Sequence, residues 1–349
     1  MRQAVVVGVG WVAGLAAIRS LGRAGLRVIA VDDRESALGF RSRYAEPRLA
    51  PDRLTQRDRF VDLLRSLEEG VVFATHDDDL ETIARADGLQ LVSPSPGWDV
   101  LARAQDKRKQ VAAAERAQVP VPRTVDEASD DLELPVLVKP GDQTAFRRRF
   151  GVKAFPCATR AELEESFERA REFRPFVQEW IPGGDETLYT LGSYLRADGE
   201  ALGLFSGRKL QQRPRGIGTA RVAEACWVDE VVDQGLAVLR ELGVWGISQV
   251  EFKRDPRDGR FKLIEVNPRL WEWHGLAAAC GVDLPVIAYR DVTGERVAPV
   301  RMHSEGRRWA ITLARGARPV PQPPPYVDAM WAGDDPRPAL VHWARVLRP

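Results

Sequence analysis

The chain has 349 residues, of which 44% are hydrophobic, so it is long and apolar enough to bury two or three cores. Its 51 basic and 50 acidic residues give a net charge of +1, which predicts neither a nucleic-acid-binding nor a membrane-binding surface. No apolar run reaches the length of a transmembrane helix. The three cysteines, Cys157, Cys226 and Cys280, are widely and irregularly spaced, which predicts neither a disulfide framework nor a zinc site. This use of cysteine favours a reducing, cytoplasmic setting.

The first 95 residues alternate between short apolar runs and amphipathic segments. The runs predict buried strands, and the segments between them predict helices at 12–24, 58–68 and 79–87. The predicted strands lie at 4–7, 28–32, 71–75 and 90–92. This alternation predicts a small doubly wound parallel sheet over residues 1–95.

The stretch "VVVGVGWVAG" at residues 5–14 has three interpretations. A secretion signal is disfavoured because three glycines break its apolar run and a second strand follows at βαβ spacing. A nicotinamide dinucleotide site is suggested by Gly8, Gly10, Gly14 and Asp32, but the spacing G-x-G-x-x-x-G differs from the usual G-x-G-x-x-G. We favour a tight strand-to-helix turn in which Gly14 allows close packing, and any anion at this helix start would be a substrate carboxylate or phosphate.

Polar residues gather where the third predicted strand ends, in "ATHDDD". Loops beyond the carboxyl ends of such strands border the ligand crevice, so His76 and Asp77 are candidates for the edge of a site. Capping of the next helix by Asp77 or Asp78 is the alternative.

Beyond residue 95 the patterns predict two further lobes and a tail. A helix at 99–117 precedes a compact lobe with strands at 136–140, 152–155 and 176–181, a polar loop at 141–151 and a helix at 160–172. The third region has strands at 186–195 and 201–210, a helix at 229–242, a hairpin at 248–269 and a helical segment at 271–280. The tail from 297 to 349 reads as an accessory segment.

The hairpin "SQVEFKRDPRDGRFKLIEVNPR" carries the most chemical information. A five-residue loop would pair Asp255 with Phe261 and place Glu251 opposite Glu265, with Asn267 on the same face. Two carboxylates and an amide oxygen on one face favour Mg²⁺, since this ion prefers hard oxygen ligands. A solvent-facing surface with ordinary acidic residues is the alternative.

Lysine is rare, with only seven among the 51 basic residues. A lysine kept in an arginine-rich chain is a candidate for a compact charge facing a phosphate, and Lys139 ends a strand while Lys107 lies in a helical stretch. The basic segment 141–151 is either a flexible cover over phosphates or a solvated arginine run.

Together these elements resemble the ATP-grasp ligases over residues 1–295. The similar segments are "DKRK" (106–109), "VLVKP" (136–140), "VQEWIPGGDE" (177–186) and the hairpin, while "GFRSRYA" (39–45) and "LWEWHGLAAACGVDLPVIAY" (270–289) resemble the branch of D-aspartate ligase and related carboxylate–amine ligases. The resemblance implies an α/β fold with a Rossmann-like pre-ATP-grasp domain at 1–95 and a two-lobed ATP-grasp fold. The small lobe would span 96–185, the large lobe 186–296 and the accessory segment 297–349.

The resemblance also implies roles for named residues. Lys107 and Lys139 would bind ATP phosphates, with Lys153 as a further candidate. Glu179 would accept from the adenine amino group, the backbone of Trp180 and Ile181 would contact the ring, and Asp185 or Glu186 would bind the ribose. Glu251, Glu265 and Asn267 would bind Mg²⁺, as one ion or two, with Mn²⁺ as a substitute. Arg269 would steady the transferred phosphoryl group, and Arg208 and Lys209 would face the acceptor substrate.

The activity implied is ligation of a small-molecule carboxylate to an amine through an acyl phosphate, with release of ADP and phosphate. The resemblance further implies a homodimer by analogy, without nucleic-acid or membrane partners. Two alternatives stay open: an NAD(P)-dependent oxidoreductase and a non-catalytic ATP-binding protein.

The chain departs from the family pattern in one segment. Many relatives have a glycine- and serine-rich phosphate loop where this chain has Phe146, Arg147, Arg148 and Arg149. We expect Trp180, Trp271, Trp273 and Cys280 to be core residues, and His274 either a structural residue or a substrate contact.

Overall fold

A computed structural model describes residues 3–128, 132–141, 143–313, 322–323 and 325–347. Part of the predicted accessory segment, namely 314–321, 324 and 348–349, lies outside the described residues. Among the residues described, no helix is long and apolar enough to cross a membrane. All three cysteines are free, and Cys280 is buried as expected.

The first sheet is parallel and confirms the doubly wound prediction. Its strands are β1 Gln3–Val7, β2 Arg27–Asp32, β3 Ala45–Leu49, β4 Gly70–Ala74 and β5 Leu91–Val92, in the order β3-β2-β1-β4-β5. The helices around it are α1 Val12–Arg23, α2 Arg57–Arg65 and α3 Asp77–Arg85. The apolar run of β1 is buried on both faces because α1 packs on one face and α2 and α3 pack on the other. The sequence analysis missed β3, since this edge strand is mostly polar and contains Pro47.

Two helices, α4 Trp98–Gln105 and α5 Lys107–Arg116, lead to a small antiparallel sheet. Its strands are β6 Thr124–Val125, β7 Val136–Lys139, β8 Phe155–Cys157 and β9 Phe176–Glu179, in the order β6-β9-β7-β8. Its helices are α6 Gln143–Phe150 and α7 Arg160–Arg169. This lobe has a hydrophobic cluster of its own, distinct from the three other core clusters. A separate core is what a lobe needs to move as a unit relative to the rest of the chain.

The third sheet has eight strands. They are β10 Leu188–Leu195, β11 Ala201–Arg213, β12 Thr219–Ala225, β13 Gly246–Arg254, β14 Phe261–Asn267, β15 Val300–Arg301, β16 Arg308–Ala310 and β17 Tyr326–Asp328. The order is β14-β13-β10-β11-β12-β16-β17, with β15 beside β11. The remaining helices are α8 Asp229–Leu242, α9 Gly275–Ala279, α10 Leu284–Val292 and α11 Arg337–Val346. One hydrophobic cluster joins α1 to this sheet, so the first and third sheets share a core.

A buried ion pair attaches the C-terminal segment to the first sheet. Asp335 accepts hydrogen bonds from Arg19 Nε at 2.9 Å, from Ser42 Oγ at 2.8 Å and from the backbone N–H of Arg43 at 2.9 Å. The Arg19 and Asp335 side chains are 6% and 1% exposed. The C-terminal segment therefore contacts the first 45 residues through Asp335, in addition to supplying β15, β16 and β17 to the large sheet.

Replacing Asp335 with asparagine should destabilise the chain strongly, because it leaves the Arg19 charge buried without a counter-charge. Removing one partner of a buried pair costs about 3–5 kcal/mol. The neighbouring Asp334 supplies a matched control, since it pairs with Arg23 but is 40% exposed, and D334N should cost about 1 kcal/mol or less. Urea unfolding midpoints would measure both, and equal shifts in the two variants would contradict the burial argument.

Candidate active site

Three connected cavities lie between the sheets. The lysine cavity lies between the small and large sheets, and five of the seven lysines line it: Lys107, Lys139, Lys153, Lys209 and Lys253. The arginine chamber opens beside it towards the first sheet and is lined by Arg147, Arg148, Arg174 and Arg269. The tryptophan chamber is lined by Trp11, Trp271 and Trp273. Lys153 and Glu265 line all three cavities, so this is the point where the cavities meet.

The β13–β14 hairpin places Glu251 directly opposite Glu265, as expected, but its register near the turn differs from the predicted one. The predicted pairing of Asp255 with Phe261 is wrong, because Phe261 pairs with Arg254. A β-bulge beside Glu251 takes up one extra residue of β14, Ile264, and this restores the register from Glu265 onwards. Both carboxylates consequently line the lysine cavity together.

Each of these carboxylates is paired with a lysine. Lys107 Nζ lies 2.8 Å from Glu265 Oε1, and Lys209 Nζ lies 2.7 Å from Glu251 Oε1. Burial opposes ionisation of Glu265, but the charges of Lys107 and Lys153 outweigh it and keep the pKa of this carboxyl well below its usual range. The Glu251 and Glu265 carboxylates therefore stand side by side, each with a lysine as counter-charge.

Lys107 reaches this place because the helical stretch is interrupted. The prediction of one helix over 99–117 is wrong in this respect, since the chain forms α4 and α5 with Asp106 between them. The Asp106 side chain accepts from the backbone N–H groups of Arg108 and Lys109 and so caps α5. Lys107 is the first residue of α5 and points from the capped end to Glu265.

Arg269 bridges the hairpin to the first sheet. Its Nε and Nη2 atoms donate to both oxygens of Asp77 at 2.7 and 2.9 Å, and Nη2 also lies 3.3 Å from Asn267 Oδ1. The Asp77 charge outweighs the effect of burial and raises the pKa of Arg269, so the guanidinium stays charged. Asp77, a candidate for the site edge, is thus brought to the site as the partner of Arg269, 192 residues away in the chain.

The oxygen donors of Glu251, Glu265 and Asn267 have the chemistry that Mg²⁺ requires. Their side chains face the shared cavities from one face of the hairpin, and Asn267 Nδ2 donates to Gln249 Oε1 at 3.2 Å. Within the described ranges, no group of three His, Cys, Asp or Glu side chains could hold a metal ion. A metal site formed by Glu251 and Glu265 therefore needs the amide oxygen of Asn267 as a further ligand. Lys107 and Lys209 form ion pairs with Glu265 and Glu251 in this structure, and a bound metal ion would replace them as the counter-charge.

Lys139 lies on β7 and donates to Gln178 Oε1 at 2.6 Å. Burial and the neighbouring Lys107 charge lower the pKa of Lys139 to about 8. Lys253 lies over the Trp180 ring at 5.5 Å and donates to the Gly183 carbonyl. Burial lowers the pKa of Lys253 as well. Clustered ammonium groups in a partly apolar cavity are suited to a polyphosphate, whose negative charge would favour the ammonium forms of Lys139 and Lys253.

The pKa of Lys139 has a measurable consequence for ADP binding. The ammonium form binds a phosphate and is present below pH 8, so the affinity for MgADP should fall as pH rises above about 8, by up to roughly tenfold per unit. A K139R variant stays charged and should lack this decline. Calorimetric titration of MgADP at several pH values would test it, with K109R as a control that keeps the wild-type profile. Parallel profiles for wild type and K139R would contradict the assignment.

The 178–181 strand end lines the lysine cavity through Gln178, Glu179, Trp180 and Ile181. The Glu179 carboxylate, however, is engaged by its own chain: it accepts from the Arg123 backbone N–H at 3.0 Å and is paired with Arg257. In this arrangement the Glu179 carboxylate is not free to accept from an adenine amino group. Trp180 is partly exposed at the cavity wall, in contrast to the expected core position, whereas Trp271 and Trp273 are buried as expected.

Three predicted site residues are not brought into the cavities. The buried Asp185 carboxylate accepts hydrogen bonds from Gln212 N and Nε2 and from Gly216 N, so it holds the connection between β11 and β12. Glu186 is exposed to solvent. Arg208 faces away from Lys209 because neighbouring strand residues alternate, and it pairs with Glu224 at 2.8 Å. The structure gives no support to a ribose or substrate contact by these side chains.

The basic segment after β7 is a helix, α6, and not the predicted loop. Phe146 and Phe150 lie one turn apart and pack against Phe155 and Phe173, so an aromatic face holds the segment on the small sheet. Arg147, on an adjoining face of the helix, lines the arginine and tryptophan chambers. Arg148 lies 3.3 Å from Asp78 of the first sheet's α3. The segment predicted as a basic, polar loop is thus a helix that carries guanidinium groups to the cavities.

The opening glycines form a tight turn. Gly8 has a φ of +79°, and a Cβ at Gly14 would lie 2.5 Å from the Val9 Cα atom, which agrees with the predicted close packing. Asp32, the acid on which a dinucleotide interpretation depends, is buried and accepts from Arg34 N at 3.1 Å.

His274 is structural, since its ring nitrogen lies 3.0 Å from the Ala13 carbonyl and burial lowers its pKa to about 4.

Comparisons with known proteins agree with this architecture. The family model described as carbamoyl-phosphate synthase L chain, ATP binding domain, matches residues 223–299. A D-aspartate ligase of Enterococcus faecium is 28% identical over 174 residues, which covers 47% of this chain and 40% of that ligase. The similarity therefore spans less than half the length of this curated relative.

Solved structures extend the likeness to most of the chain. The biotin carboxylase domain of Hydrogenobacter thermophilus 2-oxoglutarate carboxylase, in complex with MgADP and bicarbonate, superposes with a TM-score of 0.67 at 19% identity and covers 85% of this chain and 70% of that one. An L-amino acid ligase from Bacillus licheniformis gives 0.62 at 17% identity and covers 82% and 72%. At these identities the likeness establishes the fold, and the predicted resemblance to the ATP-grasp ligases is confirmed.

Proposed function

We propose that this chain, a relative of the ATP-grasp ligases, is an ATP- and Mg²⁺-dependent carboxylate–amine ligase that forms an amide or peptide bond through an acyl phosphate. One observation carries the proposal: a cavity lined by five lysines opens onto paired carboxylates, Glu251 and Glu265, with Arg269 beside them. Such a constellation suits the transfer of a phosphoryl group from ATP to an acid.

In the proposed complex the base of ATP lies in the apolar part of the lysine cavity, against Leu137, Ile181 and Leu188. Its phosphates extend towards Lys139 and Lys153, whose charges neutralise them. Glu251, Glu265 and Asn267 would hold Mg²⁺, which when bound neutralises and orients phosphate oxygens. Lys107 and Lys209, released from the carboxylates, are then available to the phosphates and the acid.

The chemistry follows from this placement. An oxygen of the substrate carboxylate attacks the γ-phosphorus, and the bond from that phosphorus to the bridging oxygen breaks, giving ADP and an acyl phosphate. Arg269 stabilises the charge on the transferred group. The amine nitrogen then attacks the acyl carbon, the carbon–oxygen bond to phosphate breaks, and the nitrogen loses a proton. Closure of the small lobe, with its separate core, would exclude water that otherwise hydrolyses the acyl phosphate.

We also propose the division into a Rossmann-like domain (1–95), a small lobe (96–185), a large lobe (186–296) and an accessory segment (297–349). It is supported by the first and second sheets, which fall wholly within the first two of these ranges. The large sheet extends from the third range into the fourth. Assembly as a homodimer stays a prediction.

A screen for ADP and phosphate release tests the proposed function. Amino acids and other small carboxylates would be supplied with ATP and Mg²⁺, singly and paired with amines. We expect one acid to raise ADP release above the background ATPase rate and a matching amine to raise it further. Thermal stabilisation by MgATP without phosphate release across the panel would instead support the non-catalytic alternative. A change in NAD(P)H fluorescence on mixing would support the oxidoreductase alternative.

A further inference from the structure

The tryptophan chamber joins the proposed reaction centre to the first sheet. It is bounded by Gly8, Trp11 and Ala13 of the opening turn, by residues 218–220 before and within β12, and by residues 271–273 after the hairpin. Its inner end is lined by Glu265, Asn267 and Arg269, beside which the acyl phosphate would form. A second substrate entering this chamber would meet the reacting group where the chamber adjoins the lysine cavity.

Glu272 is the feature of this chamber that the proposed function does not explain. Its Oε1 atom accepts a hydrogen bond from Trp11 Nε1 at 2.8 Å. Its Oε2 atom is buried and has no well-aligned hydrogen-bond donor among the described residues, although the Thr219 side chain lies near the carboxylate. Burial raises the pKa of Glu272, while the Trp11 indole, the Thr219 side chain and the charges of Lys153 and Lys209 act in the opposite direction. A buried carboxylate oxygen without a donor costs free energy, so its position points to a donor that arrives with a ligand.

The ion pairs around Glu272 indicate which donor this is, although Arg147 and Lys153 also line the chamber. The other carboxylates of the chamber, Glu251 and Glu265, are paired with Lys209 and Lys107, whereas Glu272 forms no ion pair with any described side chain. Three indole rings, those of Trp11, Trp271 and Trp273, line the same space. Aromatic walls around a single unpaired carboxylate favour a cation, and a primary ammonium group also supplies the missing hydrogen-bond donor.

We propose that the tryptophan chamber binds the amine substrate and that Glu272 Oε2 accepts a hydrogen bond from the ammonium group of that substrate. This inference rests on the proposed function for the identity of the ligand as a substrate. The chemical class is a small compound with a primary ammonium group. Glu272 acts as a binding residue that sets specificity for the amine and makes no contact with ATP.

Calorimetric binding of a simple ammonium compound tests the proposal without turnover. Alaninamide carries the ammonium group, and propionamide is the same molecule without it. In the presence of MgADP, wild-type protein should bind alaninamide and not propionamide. E272Q should bind alaninamide at least tenfold more weakly, since it keeps the shape of the side chain but loses its charge. E200Q, on an exposed turn, is the matched control and should bind as wild type does.

The affinity for MgADP, measured in the same variant, shows whether E272Q is folded. W11F should also weaken alaninamide binding, because it removes the donor that fixes the carboxylate. Equal binding of alaninamide to wild type and E272Q, or no binding to wild type, would overturn the proposal. Failure of the proposed function would appear separately, as an absence of acid-dependent ADP release in the wild type.

Discussion

Replacing Glu265 with alanine should abolish the ADP release that depends on an acid substrate, with a loss on the order of 10²–10³ or more. Glu265 lines all three cavities, and its carboxylate is kept ionised by Lys107 and Lys153. Its removal takes away a proposed metal ligand and leaves Lys107 without its partner. Acid-dependent ADP release, measured at saturating ATP and Mg²⁺, is the direct readout.

Two further measurements show that the loss reflects the site. ADP without metal should still bind to E265A, since Lys139 and Lys153 remain in the cavity. E241A changes a surface glutamate paired with Arg116 and should keep wild-type turnover. Undiminished turnover in E265A would contradict the metal assignment.

Replacing Arg269 with lysine should lower kcat by roughly 10²–10³ with little change in KM for ATP, as expected for a charge that acts on the transition state. The guanidinium spans both oxygens of Asp77 and reaches Asn267, and a single ammonium group cannot reproduce this fork. D77N should have a smaller effect, because the arginine stays in place but loses the partner that orients it.

Arg208 provides the matched control for this experiment. It lies on the same sheet and is predicted from the sequence to face the acceptor substrate, but it pairs with Glu224 away from the cavities. R208K should therefore retain nearly all activity. A loss in R208K as large as that in R269K would contradict the placement of the phosphoryl-transfer site.

Much of the site could be predicted because it depends on strand alternation and on rare residue types. Glu251, Glu265 and Asn267 share one face of a hairpin that local sequence specifies. The scarcity of lysine singled out residues that prove to line one cavity. In both cases the signal lies within a few residues along the chain or in the composition, where sequence analysis is strongest.

The features that the sequence does not predict also have specific physical causes. Alternation shows that Arg208 and Lys209 face opposite sides, but not which side is the cavity, since that depends on packing across the sheet. The charge of the segment 141–151 predicts a polar loop, whereas Phe146 and Phe150 at helical spacing favour a helix over 143–150 through contacts with distant Phe155 and Phe173. The Asp77–Arg269 and Trp11–Glu272 contacts join residues 192 and 261 positions apart, which no local pattern reveals.

The central claim is that a substrate carboxylate is phosphorylated by ATP. Its most direct test uses the acid found in the screen, labelled with ¹⁸O in its carboxyl group, together with ATP, Mg²⁺ and the matching amine. The proposed mechanism predicts that each phosphate released carries one ¹⁸O atom from the acid, as measured by mass spectrometry, with one ADP formed per amide. Unlabelled phosphate, or AMP in place of ADP, would contradict it.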